Sequence, residues 1–273
     1  MPDSNFAPTF NRTEEGWITF PTDRKERKSM FFPEAVMAHP AKMNFHLQQS
    51  IIEYVTQPGD TLMDIFGGTG TMMIAALQGY RVILIEIEDG YHKLQIEAKE
   101  NLEIQSPGCG DLVTLLHGDN RLILPIPCNH IITSPPYAAA MKITKVRKQR
   151  EDAPDTWLAD QDRMMLEYSR SARNISKLNP FMYNMEMDKI YGLCHQSLPI
   201  NGTLTTVVKD RIISGKRVYL GKWAAKVCEA LGMELVTWEK WKTPGHGFTN
   251  IARSQGKQVV DEEDILIYRR VET

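Results

Sequence analysis

The segment Arg81-Val82-Ile83-Leu84-Ile85-Glu86 is apolar at every interior position. A strand without polar alternation is buried on both faces, and such strands belong to parallel sheets covered by helices on each side. The surrounding pattern agrees. Residues 61–66 read as a buried strand, residues 112–116 as a third, and residues 130–133 as a fourth. Helical spacing of apolar residues appears at 45–55, 71–78 and 91–102, with glycines and the Pro58-Gly59-Asp60 turn between segments. Further along, residues 182–198 and 222–231 read as helices and residues 203–208 as strand five. Residues 233–241 and 265–269 read as two final strands with no helix-sized segment between them, so they are expected to be antiparallel. This alternation is that of a doubly wound, mostly parallel α/β sheet.

The 273 residues are 42% apolar and 24% charged, which suits one globular domain. Residues 1–30 are polar and irregular, with the charged run Asp23 to Lys28, and read as a solvated arm. Residues 31–273 then form a single domain. It contains a charged insertion at 138–180 and a Gly-rich, polar loop at 242–263 that is too long for a plain connection. The formal charge is −2, so any attraction for a polyanion must be local.

The cysteines Cys109, Cys128, Cys194 and Cys228 have neither zinc nor redox spacing. His117, His130 and His246 share no metal spacing, and no metal is expected. No secretory signal is visible and no apolar run spans a membrane, so a cytoplasmic location is the default expectation.

Two motifs carry chemistry. The first is Asp64-Ile65-Phe66-Gly67-Gly68-Thr69-Gly70-Thr71, between a strand and a helix. Its glycines permit a sharp turn and close approach to a ligand. Glu86 ends the next strand, 19 residues after Gly67, where a carboxylate can accept hydrogen bonds from both hydroxyls of a ribose. The glycine pattern is not the G-x-G-x-x-G of a dinucleotide site. An acid before the loop suits a cationic or zwitterionic ligand, and S-adenosylmethionine is one. The second motif, Ser134-Pro135-Pro136-Tyr137, ends strand four. Two prolines make a rigid platform with outward carbonyls. With the Ser134 hydroxyl and the Tyr137 ring, it can hold a planar ring that carries an exocyclic amine. Both motifs fall at carboxyl ends of parallel strands, where open α/β sheets bind ligands.

At these residues the sequence resembles the amino-group DNA methyltransferases, which methylate N4 of cytosine or N6 of adenine. Asp64 to Thr71 resembles their cofactor loop, and Ser134 to Tyr137 their catalytic tetrapeptide. His39-Pro40-Ala41-Lys42-Met43-Asn44 resembles the segment covering the methionine end of the cofactor, and His117-Gly118-Asp119 the contact at its adenine. The resemblance implies a seven-stranded methyltransferase sheet with an antiparallel last strand. It implies S-adenosylmethionine bound by Lys42, Asn44, Asp64, Phe66, Gly67, Gly68, Thr69, Gly70, Thr71, Glu86, Ile87 and Asp119. It implies Ser134, Pro135, Pro136 and Tyr137 as the catalytic group, acting on a base flipped out of double-stranded DNA. Serine at the head of the tetrapeptide leans toward cytosine N4 by resemblance. A companion restriction enzyme is left open.

Lys142, Lys145, Arg147, Lys148 and Arg150 lie just after the tetrapeptide without an intervening acid and are expected to contact phosphates. With no separate recognition domain evident, 138–180 and 242–263 are the candidate recognition elements. Cys128 precedes strand four and reads as an apolar filler, which argues against ring-carbon methylation. The competing readings are adenine N6, guanine N2 of RNA, a catalytically idle binding subunit, and a nicotinamide-dependent oxidoreductase.

Overall fold

The computed structural model describes residues 6–38, 42–136, 170–213, 215–244 and 253–272. Its core is a seven-stranded sheet. The strands are β1 (Thr61–Asp64), β2 (Arg81–Glu86), β3 (Val113–His117), β4 (His130–Thr133), β5 (Thr203–Val208), β8 (Met233–Lys242) and β9 (Glu262–Arg270), in the order β3-β2-β1-β4-β5-β9-β8. The first five pair in parallel, and β9 runs antiparallel to both β5 and β8. The expected class, with its antiparallel last strand, is the one observed.

Alternate residues of each strand feed two cores. Leu62, Leu84, Ile132 and Val207 face one layer, which holds α2 (Phe45–Val55), the 3-10 helix Thr71–Gln78 and α3 (Asp89–Gln105). Met63, Ile85, Ile131 and Leu204 face the other, formed by α5 (Pro180–Ser197) and α6 (Leu220–Ala230). This period-2 split explains why β2 is apolar throughout. Two further short helices are α1 (Arg24–Ser29) and α4 (Asn120–Ile123), and Ile123 packs against the second core. The sheet order reverses between β1 and β4, so a crevice opens at their carboxyl ends.

The sequence reading differs from the structure most clearly in the following elements. Thr71–Gln78 is 3-10 throughout, a length at which that geometry is uncommon. A two-stranded hairpin, β6 (Arg211–Ile213) and β7 (Lys216–Val218), follows β5 where no strand was expected. The stretch 6–30, expected as a solvated arm, is packed against the domain. Phe6, Ile18 and Phe20 are buried in the first core. Ile18 donates its N–H to the Lys240 carbonyl and accepts from Lys242 N, so the stretch covers the outer edge of β8.

Among the described residues Arg27 is the largest fully buried side chain, although it sits in a charged run. Its Nη2 donates to Asp23 Oδ2 (2.6 Å) and to the Met43 carbonyl (2.9 Å), and its Nη1 donates to Thr71 Oγ1 (3.0 Å). Asp23 Oδ2 also accepts from Phe45 N at the start of α2. One guanidinium therefore ties the N-terminal stretch, the segment before α2 and the start of the 3-10 helix. Removing one partner of a buried ion pair costs about 3–5 kcal/mol. Arg27→Ala is expected to lower the unfolding free energy by that order in denaturant titration, and Arg27→Lys to restore only part, because an ammonium cannot reproduce the planar fork. A loss below about 1 kcal/mol would contradict this role.

Candidate active site

The crevice at the switch point is a cleft that is partly open to solvent. Elements from both motifs line it. Phe66 and Gly68 come from the loop after β1, and Glu86 and Ile87 from the end of β2. Gly118 and Asp119 follow β3, and Ser134 and Pro136 follow β4.

The loop is built around glycine. A Cβ at Gly67 would lie 2.8 Å from Gln95 Nε2 and 3.3 Å from the Ile85 carbonyl. That Gln95 amide, fully buried, donates to the Gly68 carbonyl at 2.9 Å. Gly70 has φ +81° and stands just before Thr71.

Two buried carboxylates organise the floor. Glu86 Oε2 accepts from Gly68 N (2.7 Å) and Oε1 from Glu88 N (2.8 Å). A carboxylate can accept about four hydrogen bonds, so acceptor capacity remains. Burial pushes its carboxyl up to about 7 against the lowering effect of those two N–H groups. Asp64 Oδ1 accepts from Thr133 Oγ1 (2.7 Å) and Phe66 N (3.0 Å). Burial pushes it up to about 6, with both hydrogen bonds opposing. Thr133 immediately precedes Ser134, so this bond fixes the Ser134-Pro135-Pro136 turn against the loop.

Asp119 caps α4 and is gripped by Arg121, with Nε on Oδ1 (2.8 Å) and Nη2 on Oδ2 (2.7 Å). Arg121 also donates to Glu186 on α5 and to the Arg173 carbonyl. Glu88 accepts from Asn174 Nδ2 (2.7 Å) and Ser171 N (2.9 Å). These bonds bring Arg173, Asn174 and Ile175 to the cleft wall, where Glu88 and Tyr91 also stand. Sequence reasoning missed all five. Glu88 and Tyr91 sit at the start of an ordinary polar helix, and Asn174 lies 86 positions from its partner Glu88.

Several expected cofactor residues stand behind the wall: Asp64, Gly67, Thr69, Gly70 and Thr71 shape the loop without lining the cleft, and Pro135 is buried beside Pro136. Lys42 and Asn44 also do not line it. Asn44 caps α2, accepting from His46 N and Leu47 N and donating to the Pro21 carbonyl. Lys42 donates to the Met37 carbonyl, and burial with the nearby Arg27 charge pushes it down to about 8. Tyr137, Lys142, Lys145, Arg147, Lys148, Arg150 and His246 lie outside the described residues, as do His39, Pro40 and Ala41. Cys128 is buried away from the cleft and its thiol is pushed up to about 12 by burial, so it stays protonated. Among the described residues no cluster of three or more His, Cys, Asp or Glu side chains can hold a metal, and no helix is long and apolar enough to cross a membrane.

Residues 7–98 match the family model of N6- and N4-methyltransferases described as DNA methylase. The match includes the N-terminal stretch that the structure packs onto the domain. No curated protein matches the chain in sequence. Among solved structures, TrmN from Thermus thermophilus superimposes with a TM-score of 0.50 at 12% identity, covering 87% of this chain and 52% of that one. The chain thus spans about half the length of that protein. A geranyl diphosphate methyltransferase, solved with GPP and sinefungin, gives 0.51 at 10% identity, covering 82% of this chain and 76% of that one. At such identities the likeness is one of fold.

The raised Asp64 carboxyl makes a pH prediction. In the unfolded chain it ionises near 4, and in the fold near 6. Its contribution to stability is therefore fully present below the unfolded value and is lost as pH rises through the folded one. The stability of the wild type relative to Asp64→Asn is expected to fall by up to about 3 kcal/mol between pH 4 and pH 7. Parallel pH profiles would contradict the burial argument.

Proposed function

We propose that this chain, whose residues 7–98 match the DNA methylase family, is an S-adenosylmethionine-dependent methyltransferase. It acts on an exocyclic amine of a base flipped out of double-stranded DNA, with cytosine N4 preferred over adenine N6. The observation that carries the proposal is that one cleft is lined at once by Glu86 and Gly68 of the glycine motif and by Ser134 and Pro136 of the tetrapeptide.

The residues fit the cofactor. Glu86 lines the cleft with acceptor capacity left for a ribose diol, and Gly68 offers backbone without a side chain. Phe66, Ile87 and Tyr91 supply apolar walls for an adenine. When bound, S-adenosylmethionine supplies an electrophilic methyl group on a positively charged sulfur. The protein supplies position and polarity. An aromatic amine is a poor nucleophile because its lone pair is delocalised into the ring. Acceptance of its two hydrogens by the Ser134 hydroxyl and a proline carbonyl draws the nitrogen toward tetrahedral geometry and frees the lone pair. Tyr137, next in the chain, is assigned the stacking face. Reaching this site requires the base to leave the duplex stack. No covalent nucleophile enters the reaction, in keeping with the buried, protonated Cys128.

Glu86→Ala is expected to weaken S-adenosylmethionine binding at least tenfold in calorimetric titration, since a charge-assisted hydrogen bond is worth about 1.5–3 kcal/mol. Wild-type affinity is expected to rise with pH through about 7, where the carboxylate forms. Ser134→Ala and Tyr137→Ala are expected to keep cofactor affinity and lose most turnover. The test uses duplex DNA and labelled S-adenosylmethionine, with the product nucleoside identified by mass spectrometry. N4-methylcytosine is expected. N6-methyladenine would overturn the cytosine preference alone, and methylation of RNA only, or of cytosine C5, would overturn the substrate or the mechanism.

A further inference from the structure

Immediately after β5 the chain leaves the sheet and forms the β6–β7 hairpin, paired Arg211 to Val218, Ile212 to Arg217 and Ile213 to Lys216. Because side chains alternate across a ribbon, Arg211, Ile213, Lys216 and Val218 share one face, and Ile212 and Arg217 the other. The second face is held to the domain. Arg217 donates to Asp210 (2.7 Å) and to the buried Glu262. Leu220 N binds the other Asp210 oxygen at 2.9 Å.

The first face points away from the domain. Ile213 and Val218 are exposed, as is Tyr219 just beyond them, which is unusual company for a short polar hairpin. Arg211 and Lys216 make no ion pair among the described residues. Lys222 Nζ stands 4.5 Å from the Tyr219 ring centroid. Between Lys209 and Lys222 there are five cations and one acid, Asp210, and that acid is occupied by Arg217. In a chain of net charge −2, this is local positive charge on an anchored support.

Its position matters as much as its charge. Thr206 of β5 pairs with Thr133 of β4, and the two strands are parallel, so the hairpin leaves the same sheet edge as Ser134. Arg211 is five residues past Thr206, at most about 17 Å of chain. Phosphates rise by about 3.4 Å per nucleotide along a strand, so this reach spans roughly five nucleotides from the reacting base.

We propose, resting on the DNA methyltransferase reading, that the β6–β7 hairpin is a docking element for double-stranded DNA beside the cleft. Arg211 and Lys216 contact phosphates, and Ile213 and Val218 lie against the sugars between them. Such contacts position the duplex without reading its sequence. Charge complementarity selects this occupant over an apolar protein partner, because two cations that make no ion pair among the described residues flank the aliphatic pair.

The test is fluorescence anisotropy of a labelled duplex, titrated between about 50 and 200 mM salt with saturating sinefungin. The proteins compared are the full chain, its Arg211→Gln/Lys216→Gln variant, and Lys226→Gln on the exposed side of α6 as control. The double variant is expected to bind DNA more weakly, with a log–log salt slope shallower by about 1.8, or 0.9 per lost contact. Its sinefungin affinity should be unchanged, which shows that it is folded, and the control should match the wild type. An unchanged slope, in a protein that binds and methylates DNA, would overturn the hairpin assignment alone. A wild type that neither binds nor methylates DNA would overturn the reading on which the proposal rests. An Ile213→Ser/Val218→Ser variant that alters oligomeric state and leaves the DNA slope intact would mark a protein interface and overturn the proposal.

Discussion

The bond from Thr133 Oγ1 to Asp64 Oδ1, 2.7 Å long and buried, joins the carboxyl ends of β4 and β1. Those two strands flank the switch point, so whatever fixes their ends fixes the width of the cleft between them. Asp64 uses the same oxygen to accept Phe66 N, which starts the glycine loop. One carboxylate oxygen thus sets both the loop and, through Thr133, the Ser134 platform. A charge in that place is costly, and the raised Asp64 carboxyl records the cost. The arrangement persists because the surrounding sheet holds the partners at hydrogen-bond distance.

A second layer of polar contacts holds that geometry from behind. Arg27 brings its charge through the first core to Thr71, at the far end of the glycine loop. Arg121 and Glu88 act on the other side, drawing residues 171–175 against the cleft. The residues expected to touch the cofactor therefore separate into two groups. Phe66, Gly68, Glu86, Ile87 and Asp119 face the cleft, whereas Asp64, Gly67, Gly70 and Thr71 shape the wall behind them. Asn44 belongs to the supporting group as well, because its side chain is spent on capping α2.

What was legible in the sequence was governed by local pattern. The runs at β2, β4 and β5 and the helix Phe45–Val55 have the observed limits, because each is apolar or periodic and bounded by turn residues. The glycine loop and the Ser-Pro-Pro turn were legible because few residue types satisfy such backbone demands. Long-range polar pairing was not legible. Arg27 in a run of charges looks like a solvated face, and only its partners at Asp23, Met43 and Thr71 show otherwise. Asn174 and Glu88 show the same limit within the site. The β6–β7 hairpin was missed because three-residue strands carry too little alternation to register, and its glycine and serine read as loop.

The central claim is that one cleft holds the cofactor on Glu86 and faces it toward Ser134. A crystal structure of the chain with sinefungin, which carries an amine where S-adenosylmethionine carries its methyl sulfonium, tests this most directly. The account predicts both ribose hydroxyls within hydrogen-bond distance of the Glu86 carboxylate, and the amine-bearing carbon directed at the Ser134-Pro135-Pro136 turn. A ribose bound away from Glu86, or an amine directed away from Ser134, would contradict it.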